Sequence, residues 1–349
     1  MEIDMIKTNT FDLPREGGFP GLSFRRFRGE SDYPKILATI QGSKEADGVE
    51  RSDTLEEVVH NYSHLVNCDP YQDMLFAEVD EQMVGYTRVW WNQNLDGEWF
   101  GFHLAFLLPA WRGKGIGSVF LMHNEKRLQE IAERLANGGL LRSDAPRYYE
   151  VFSSDTEVLK EGLLKKNGYT PIRYFFEMVR PSLEDIPEAP MPLGLEVRPV
   201  QPEHLSAIWA AMQEAFRDHW NYVPPAEEDY LNWLENPIHD RSLWKVAWDG
   251  DRVAGMVLSF INNDENREYN RKRGYTEDIS VCRPWRKQGL ARSLIVQSLE
   301  AVKERGMTEA ALGVDANNLT GALRLYESVG FQVTRRSSAF RKPLIGLDE

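Results

Sequence analysis

The feature that most constrains this chain is that it repeats itself once, at a period far too long for a solenoid. GLSFRRF (Gly21–Phe27) returns as GLEVRPV (Gly194–Val200). AEVDEQMVGY (Ala77–Tyr86) returns as AWDGDRVAGM (Ala247–Met256). LPAWRGKGIGS (Leu108–Ser118) returns as RPWRKQGLARS (Arg283–Ser293), and KKNGYTPIR (Lys165–Arg173) as ESVGFQVTR (Glu327–Arg335). The order is kept and the spacing drifts only as loop insertions would make it drift. Two copies of one domain also suit a length of 349 residues. The joint is RPSLEDIPEAPMPLG (Arg180–Gly194), where Pro181, Pro187, Pro190 and Pro192 forbid a regular helix or central strand. The expected division is therefore a domain over residues 1–180, a linker over 181–193 and a domain over 194–349.

Both copies read as strand, helical region, hairpin, strand, glycine turn, helix, strand, helix, strand, which is a mixed α/β order. In the second copy HLSAIWAAMQEAF (His204–Phe216) has helical apolar spacing, and SLIVQSLEAVKERG (Ser293–Gly306) is a helix closed by glycine. EAALGV (Glu309–Val314) is a strand, and TGALRLYESVG (Thr320–Gly330) a short helix.

The glycine turn carries chemistry. It joins the strand EDISV (Glu277–Val281) to a helix starting near Leu290. The first N–H groups of a helix have no intrahelical partner, and with the helix dipole they form an anion site. Glycines let the backbone approach a ligand closely. Arg286, Lys287 and Arg292 add local positive charge to a chain whose 41 basic and 54 acidic residues give a net charge of −13. A phosphate or pyrophosphate ligand is expected. The acidic whole argues against nucleic acid or an anionic membrane as partner. The P-loop pattern is absent, and GKGIG (Gly113–Gly117) is not the dinucleotide fingerprint. Residues Met1–Pro20 lack the apolar core of a signal peptide, and no apolar run is long enough to span a bilayer. Cys68 and Cys282 do not suggest a disulfide framework, so a cytoplasmic location is expected.

Arg-x-x-Gly-x-Gly/Ala, carried by Arg112, Gly115 and Gly117 and again by Arg286, Gly289 and Ala291, resembles the acetyl-CoA signature of the GCN5-related N-acetyltransferases. The resemblance covers most of both halves, including DANNLTGALRLYESVGF (Asp315–Phe331). It implies two tandem acyl-CoA N-acyltransferase domains, each a mixed, mostly antiparallel sheet flanked by helices. It implies acetyl-CoA as co-substrate and no metal. The pyrophosphate would lie on the amides of Lys287, Gln288, Gly289, Leu290, Ala291 and Arg292 beside Arg286. The pantetheine arm would follow the main chain of Ile279, Ser280 and Val281, and Asn318 (or Asn317) would contact the cofactor. The matching cradle of the first copy is Leu107, Arg112, Gly113, Lys114, Gly115, Ile116, Gly117 and Ser118.

Acetyl transfer to an amine moves two protons: the ammonium loses one, and the departing thiolate gains one. Tyr326 is the candidate acid, being a phenol still protonated at neutral pH. Glu277 is the candidate base, acting through a water, with an ion pair to Arg273 as its structural alternative. Strand alternation puts Glu277 and Asp278 on opposite sides, so they form no carboxylate dyad, while Glu277, Ile279 and Val281 share a face. Cys282 has no sequence-placed histidine to activate it, so direct attack in a ternary complex is favoured over a covalent route. Asp218, His219 and Trp220 are candidates to hold the amine acceptor.

Aligning Gly330–Phe331 on Gly168–Tyr169 sets Leu164 opposite Tyr326 and Thr156 opposite Asn318, and His103 takes the place of Glu277. The first copy thus keeps a cradle and loses the acid. His103 retains the pKa range of a base. His60 and His64 lie one helical turn apart but lack the glutamate and third ligand of a zinc motif. The expected activity is acetyl-CoA-dependent N-acetylation of a small-molecule amine in the second domain, by a monomer or homodimer. Acceptor classes left open are aminoglycoside- or streptothricin-type antibiotics and a mycothiol-precursor amine. The non-enzymatic alternative is an acyl-CoA-binding sensor or scaffold.

Overall fold

The computed structural model describes residues 20–142, 144–318 and 321–344. Most of the N-terminal stretch inspected for a leader, and Thr320, lie outside these residues. Two compact units are present, one made of residues 1–172 with 339–349 and one of 173–338.

The first unit contains β1 (Leu22–Arg25), α1 (Tyr33–Asp47), α2 (Leu55–Ser63), α3 (Pro70–Asp73), β2 (Met74–Val79), β3 (Gln82–Gln93), β4 (Trp99–Leu107), α4 (Ile116–Asn137), β5 (Arg147–Ser154), α5 (Val158–Lys166) and the start of β6 (Thr170–Arg180). Strands β1 to β4 pair antiparallel in chain order, and β4 pairs parallel with β5. The second unit takes the rest of β6, then β7 (Glu196–Arg198), α6 (Leu205–Phe216), α7 (Glu227–Glu235), β8 (Lys245–Asp249), β9 (Arg252–Phe260), α8 (Asn263–Glu268), β10 (Arg273–Val281), α9 (Leu290–Glu304), β11 (Glu309–Asp315), α10 (Ala322–Ser328) and β12 (Gln332–Pro343), whose last residues belong to the first unit. Its sheet has the same plan: β7 to β10 antiparallel, then β10 parallel to β11. Even an irregularity repeats. The β2–β3 register shifts between Ala77 and Glu78, and the β8–β9 register between Ala247 and Trp248.

The units do not divide at the proline-rich segment. They divide inside β6 and β12, because residues Phe175–Arg180 of β6 pair antiparallel with β11 and so belong to the second sheet. Residues 181–193 form no helix or strand, as the prolines require. They are not a free tether, however: Leu183 is buried, and Ile186, Ala189 and Met191 pack on the second unit's core. That core lies under α9. Its spacing places Leu290, Leu294, Ile295, Leu299 and Val302 on one face, all buried. Each such side chain contributes roughly 2 kcal/mol by leaving water. This burial fixes α9 against the sheet and so fixes the turn that precedes it.

Candidate active site

The two glycine turns are built alike. Arg286 Nε donates to the Val281 carbonyl at 2.9 Å, and Arg112 Nε donates to the Leu107 carbonyl at 3.0 Å. In both copies the motif arginine thereby ties the turn to the last residue of the preceding strand. The remainder of Arg286 is also engaged, with Asp218 at 2.8 Å and the Ala215 carbonyl at 3.0 Å. Arg286 thus holds the turn, and any anion bound there would fall to the backbone amides. Gly289 at φ 88° and Gly115 at φ 89° are the N-caps of α9 and α4. This left-handed conformation favours glycine. Neither helix has a side-chain cap, so the first-turn N–H groups remain available to a ligand. A Cβ built on Gly289 meets nothing within 4 Å, which leaves room above the amides. Lys287 adopts φ 60° where the first copy has Gly113 at φ 71°. The lysine therefore sits in a conformation that costs a non-glycine residue about 1 kcal/mol.

A cavity of about 1160 Å³ opens beside this turn, entirely within the second unit. Its wall includes Glu277, Tyr326, Asn318, Ile279, Ser280 and Val281, along with Arg286, Lys287, Gly289, Leu290, Ala291 and Arg292. Gln288 is not on the wall; its amide group donates to the Pro284 carbonyl at 3.1 Å.

The cavity exists because β10 and β11 part company. They pair only from Arg273–Tyr275 to Glu309–Ala311. Beyond that point Glu277 Oε1 accepts the Gly313 N–H at 2.9 Å across the gap. The β9–β10 register slips by one residue between Glu277 and Ser280, a β-bulge with Asp278 at φ 48°. The bulge interrupts the regular alternation expected from sequence. Glu277 and Asp278 both line the cavity. Glu277 is pushed up to about 8, by burial first and then by Asp278. Asp278 is pushed up to about 6 by burial. The expected alternative partner, Arg273, pairs instead with Glu309 at 2.7 Å and Glu177 at 3.6 Å. The Ser280 hydroxyl is buried in the wall with no partner among the described residues.

Tyr326 lies on α10, buried against Phe331 in an edge-to-face contact at 6.4 Å. Burial and then the Glu277 charge hold its phenol well above the ordinary value, so it stays protonated. Cys282 is buried and its Sγ donates to the Ala211 carbonyl at 3.5 Å. Its thiol is pushed up to about 12, chiefly by burial, which removes the thiolate a covalent route needs.

On the far side of the cavity the three acceptor candidates divide. The Asp218 carboxylate is held by Arg283 and Arg286 together, which keeps it well below the usual carboxylate range. The first copy has the same pin, Asp47 with Arg112 at 2.7 Å. Asp218 therefore ties the chain just beyond α6 to the turn while lining the cavity. His219 packs edge-on against Phe216 at 4.5 Å, and burial lowers its pKa. Trp220 lies 6.2 Å from Phe175, with the Arg173 guanidinium 5.2 Å over its ring. Arg173 and Phe175 escaped the sequence reading because it assigned their strand to the first domain.

In the first unit β3 and β4 keep register from Gly85↔Leu107 to Gln93↔Trp99, so no bulge opens the strand. His103 and Tyr169 are buried and hydrogen-bonded at 3.1 Å. Burial, then Lys160 and Lys342, lower His103 to about 3. Leu164, opposite Tyr326, is buried core. Thr156, opposite Asn318, bonds Ser154 at 2.9 Å. His64 Nδ1 meets the His60 carbonyl at 2.9 Å, a local contact of α2. Among the described residues no cluster of metal-ligating side chains occurs, and no helix is long and apolar enough to cross a membrane.

A split strand pair beside a glycine-capped helix, repeated in the first unit where β4 and β5 pair only from Trp99–Phe102 to Arg147–Glu150, defines a class: tandem acyl-CoA N-acyltransferase domains. The chain belongs to the acetyltransferase (GNAT) family, whose profile matches residues 38–138 and 206–331. It is 26% identical to a mycothiol acetyltransferase of Catenulispora acidiphila over 88% of this chain and 94% of that one. It is 28% identical to that of Thermobispora bispora over 86% and 92%. Among solved structures, a GCN5-related N-acetyltransferase from Sphaerobacter thermophilus matches with a TM-score of 0.67 at 25% identity, over 92% of this chain and 95% of that one. A tandem GNAT protein from the clavulanic acid biosynthesis pathway shares the fold, with a TM-score of 0.62 at 14% identity, over 92% and 98%. The protein is an N-acetyltransferase; the sensor or scaffold alternative has no support in these relatives.

Proposed function

We propose that the second unit transfers the acetyl group of acetyl-CoA to the primary amine of a small molecule by direct attack in a ternary complex. The observation that carries this reading is one cavity wall holding Glu277, Tyr326 and the amides at the start of α9. Those amides, from Lys287 to Arg292, would take the pyrophosphate, with Lys287 adding charge. The edge of β10 freed by the split from β11 offers Ile279–Val281 to the amides of the pantetheine arm. Asn318 lines the same wall.

Glu277, raised to about 8, is matched to a substrate ammonium and takes its proton through a water. The freed lone pair forms the new C–N bond and the C–S bond breaks; Tyr326 gives its proton to the leaving sulfur and regains one from the nitrogen, which sheds its second proton as the amide forms. His219 and Trp220, with Phe175, would border the acceptor. Relatives named mycothiol acetyltransferases make a mycothiol-precursor amine the first acceptor class to try, before aminoglycoside or streptothricin amines. The first unit is read as a cradle without chemistry, because His103 is neutral and bonded to Tyr169. A steady-state amine panel with acetyl-CoA tests the reading. Turnover that survives in both Glu277→Gln and Tyr326→Phe would remove it.

A further inference from the structure

The β10 bulge brings a second carboxylate to the cavity wall that the proposed chemistry does not use. Asp278 lines the cavity next to Glu277. Its carboxylate makes no hydrogen bond or ion pair among the described residues, whereas Glu277 is satisfied in part by Gly313. Its backbone is left-handed at φ 48°. Aspartate is tolerated there when its short side chain bonds the local backbone, and Asp278 makes no such bond. Burial disfavours its charge. Beyond helping to raise Glu277, the arrangement gives Asp278 no pairing among the described residues. A half-buried, unpartnered acid in a ligand cavity is explained when a ligand supplies the partner. The cations on the same wall do not: Arg286 and Arg173 are committed to Asp218 and Asp315, Arg292 bonds Ser328, and Lys287 forms no ion pair with Asp278.

Building on the acetyltransfer reading, we propose that Asp278 binds a second ammonium of the acceptor while Glu277 serves the amine that reacts. The acceptor class this selects is a compact diamine, with its two nitrogens a few bonds apart. A monoamine would leave Asp278 unpaired in the complex. The aromatic wall of Trp220 and Phe175 suits an acceptor built on a ring.

The test uses two probes of like size and hydroxyl content, 2-deoxystreptamine with two amines and glucosamine with one. Calorimetric binding to the full chain and turnover with acetyl-CoA are measured for wild type, Asp278→Asn and Asp278→Glu. A charge-assisted contact predicts about tenfold tighter binding of the diamine by wild type. That preference should vanish in Asp278→Asn, return in part in Asp278→Glu, and leave the acetyl-CoA KM in place. A purely structural aspartate would change both probes alike. Equal binding of the two probes by wild type, no binding of either, or a preference that persists in Asp278→Asn overturns the proposal. Selective binding without turnover leaves this inference standing and removes the catalytic reading; turnover without selectivity does the reverse.

Discussion

The Glu277 carboxylate accepts the Gly313 N–H at 2.9 Å across the gap where β10 and β11 have ceased to pair. One side chain thus satisfies a backbone donor exposed by the split and stays at the cavity wall. The bond favours the charged form, while burial and Asp278 oppose it more strongly, leaving Glu277 at about 8. A base tuned this way has a readable pH signature. The kcat/KM of wild type should climb with pH through about 8, as Glu277 loses its proton. In Glu277→Gln the activity should fall by about 10²-fold or more and the climb should disappear. An unchanged limb in that variant would assign the climb to the acceptor amine instead.

The same carboxyl groups make a stability prediction. Glu277 and Asp278 bind protons more tightly folded than unfolded. Their contribution is therefore fully present below the unfolded values of roughly 4 and is lost as pH rises, through about 6 for Asp278 and about 8 for Glu277. Between pH 5 and 8 the thermal midpoint of wild type should fall relative to that of Glu277→Gln/Asp278→Asn. Parallel midpoint curves for the two proteins would contradict the raised values.

Asp218 is expected to act on the cofactor side. Its ion pair with Arg286 joins the chain just beyond α6 to the turn. Asp218→Asn should raise the KM for acetyl-CoA several-fold and leave acceptor KM within about twofold. A rise confined to the acceptor KM would restore Asp218 as a substrate ligand.

The first cradle is open to counting. Titration of CoA against Gly115→Trp and Gly289→Trp, with thermal midpoints to exclude unfolding, reads the number of sites. Two sites in wild type and one in each variant are expected if both glycine-capped helices bind. A single wild-type site, lost only in Gly289→Trp, would leave the first cradle empty. His103→Gln should leave turnover within about twofold while lowering the thermal midpoint, since His103 bonds a buried tyrosine.

What was legible in the sequence was local. The turns at Gly115 and Gly289 depend on their own φ and on the helix that follows, and the internal repeat exposed both. Tyr326 and Glu277 came from the resemblance to the GNAT family, and both line one cavity. What escaped was set by partners distant in sequence. The bulge at Asp278 is a mismatch between β10 and β9, and neither strand announces it alone. The membership of Phe175–Arg180 in the second sheet depends on β11. The Asp218–Arg286 pin was concealed as well, although its echo in Asp47–Arg112 was a signal the repeat contained.

Steady-state transfer from acetyl-CoA across an amine panel is the most direct test of an active second unit, with Glu277→Gln, Tyr326→Phe and His103→Gln assayed beside wild type. The expected result is loss of kcat by about 10²-fold in the first two, acetyl-CoA affinity held within about threefold, and His103→Gln unchanged. Loss of turnover in His103→Gln, with Glu277→Gln and Tyr326→Phe still active, would contradict it.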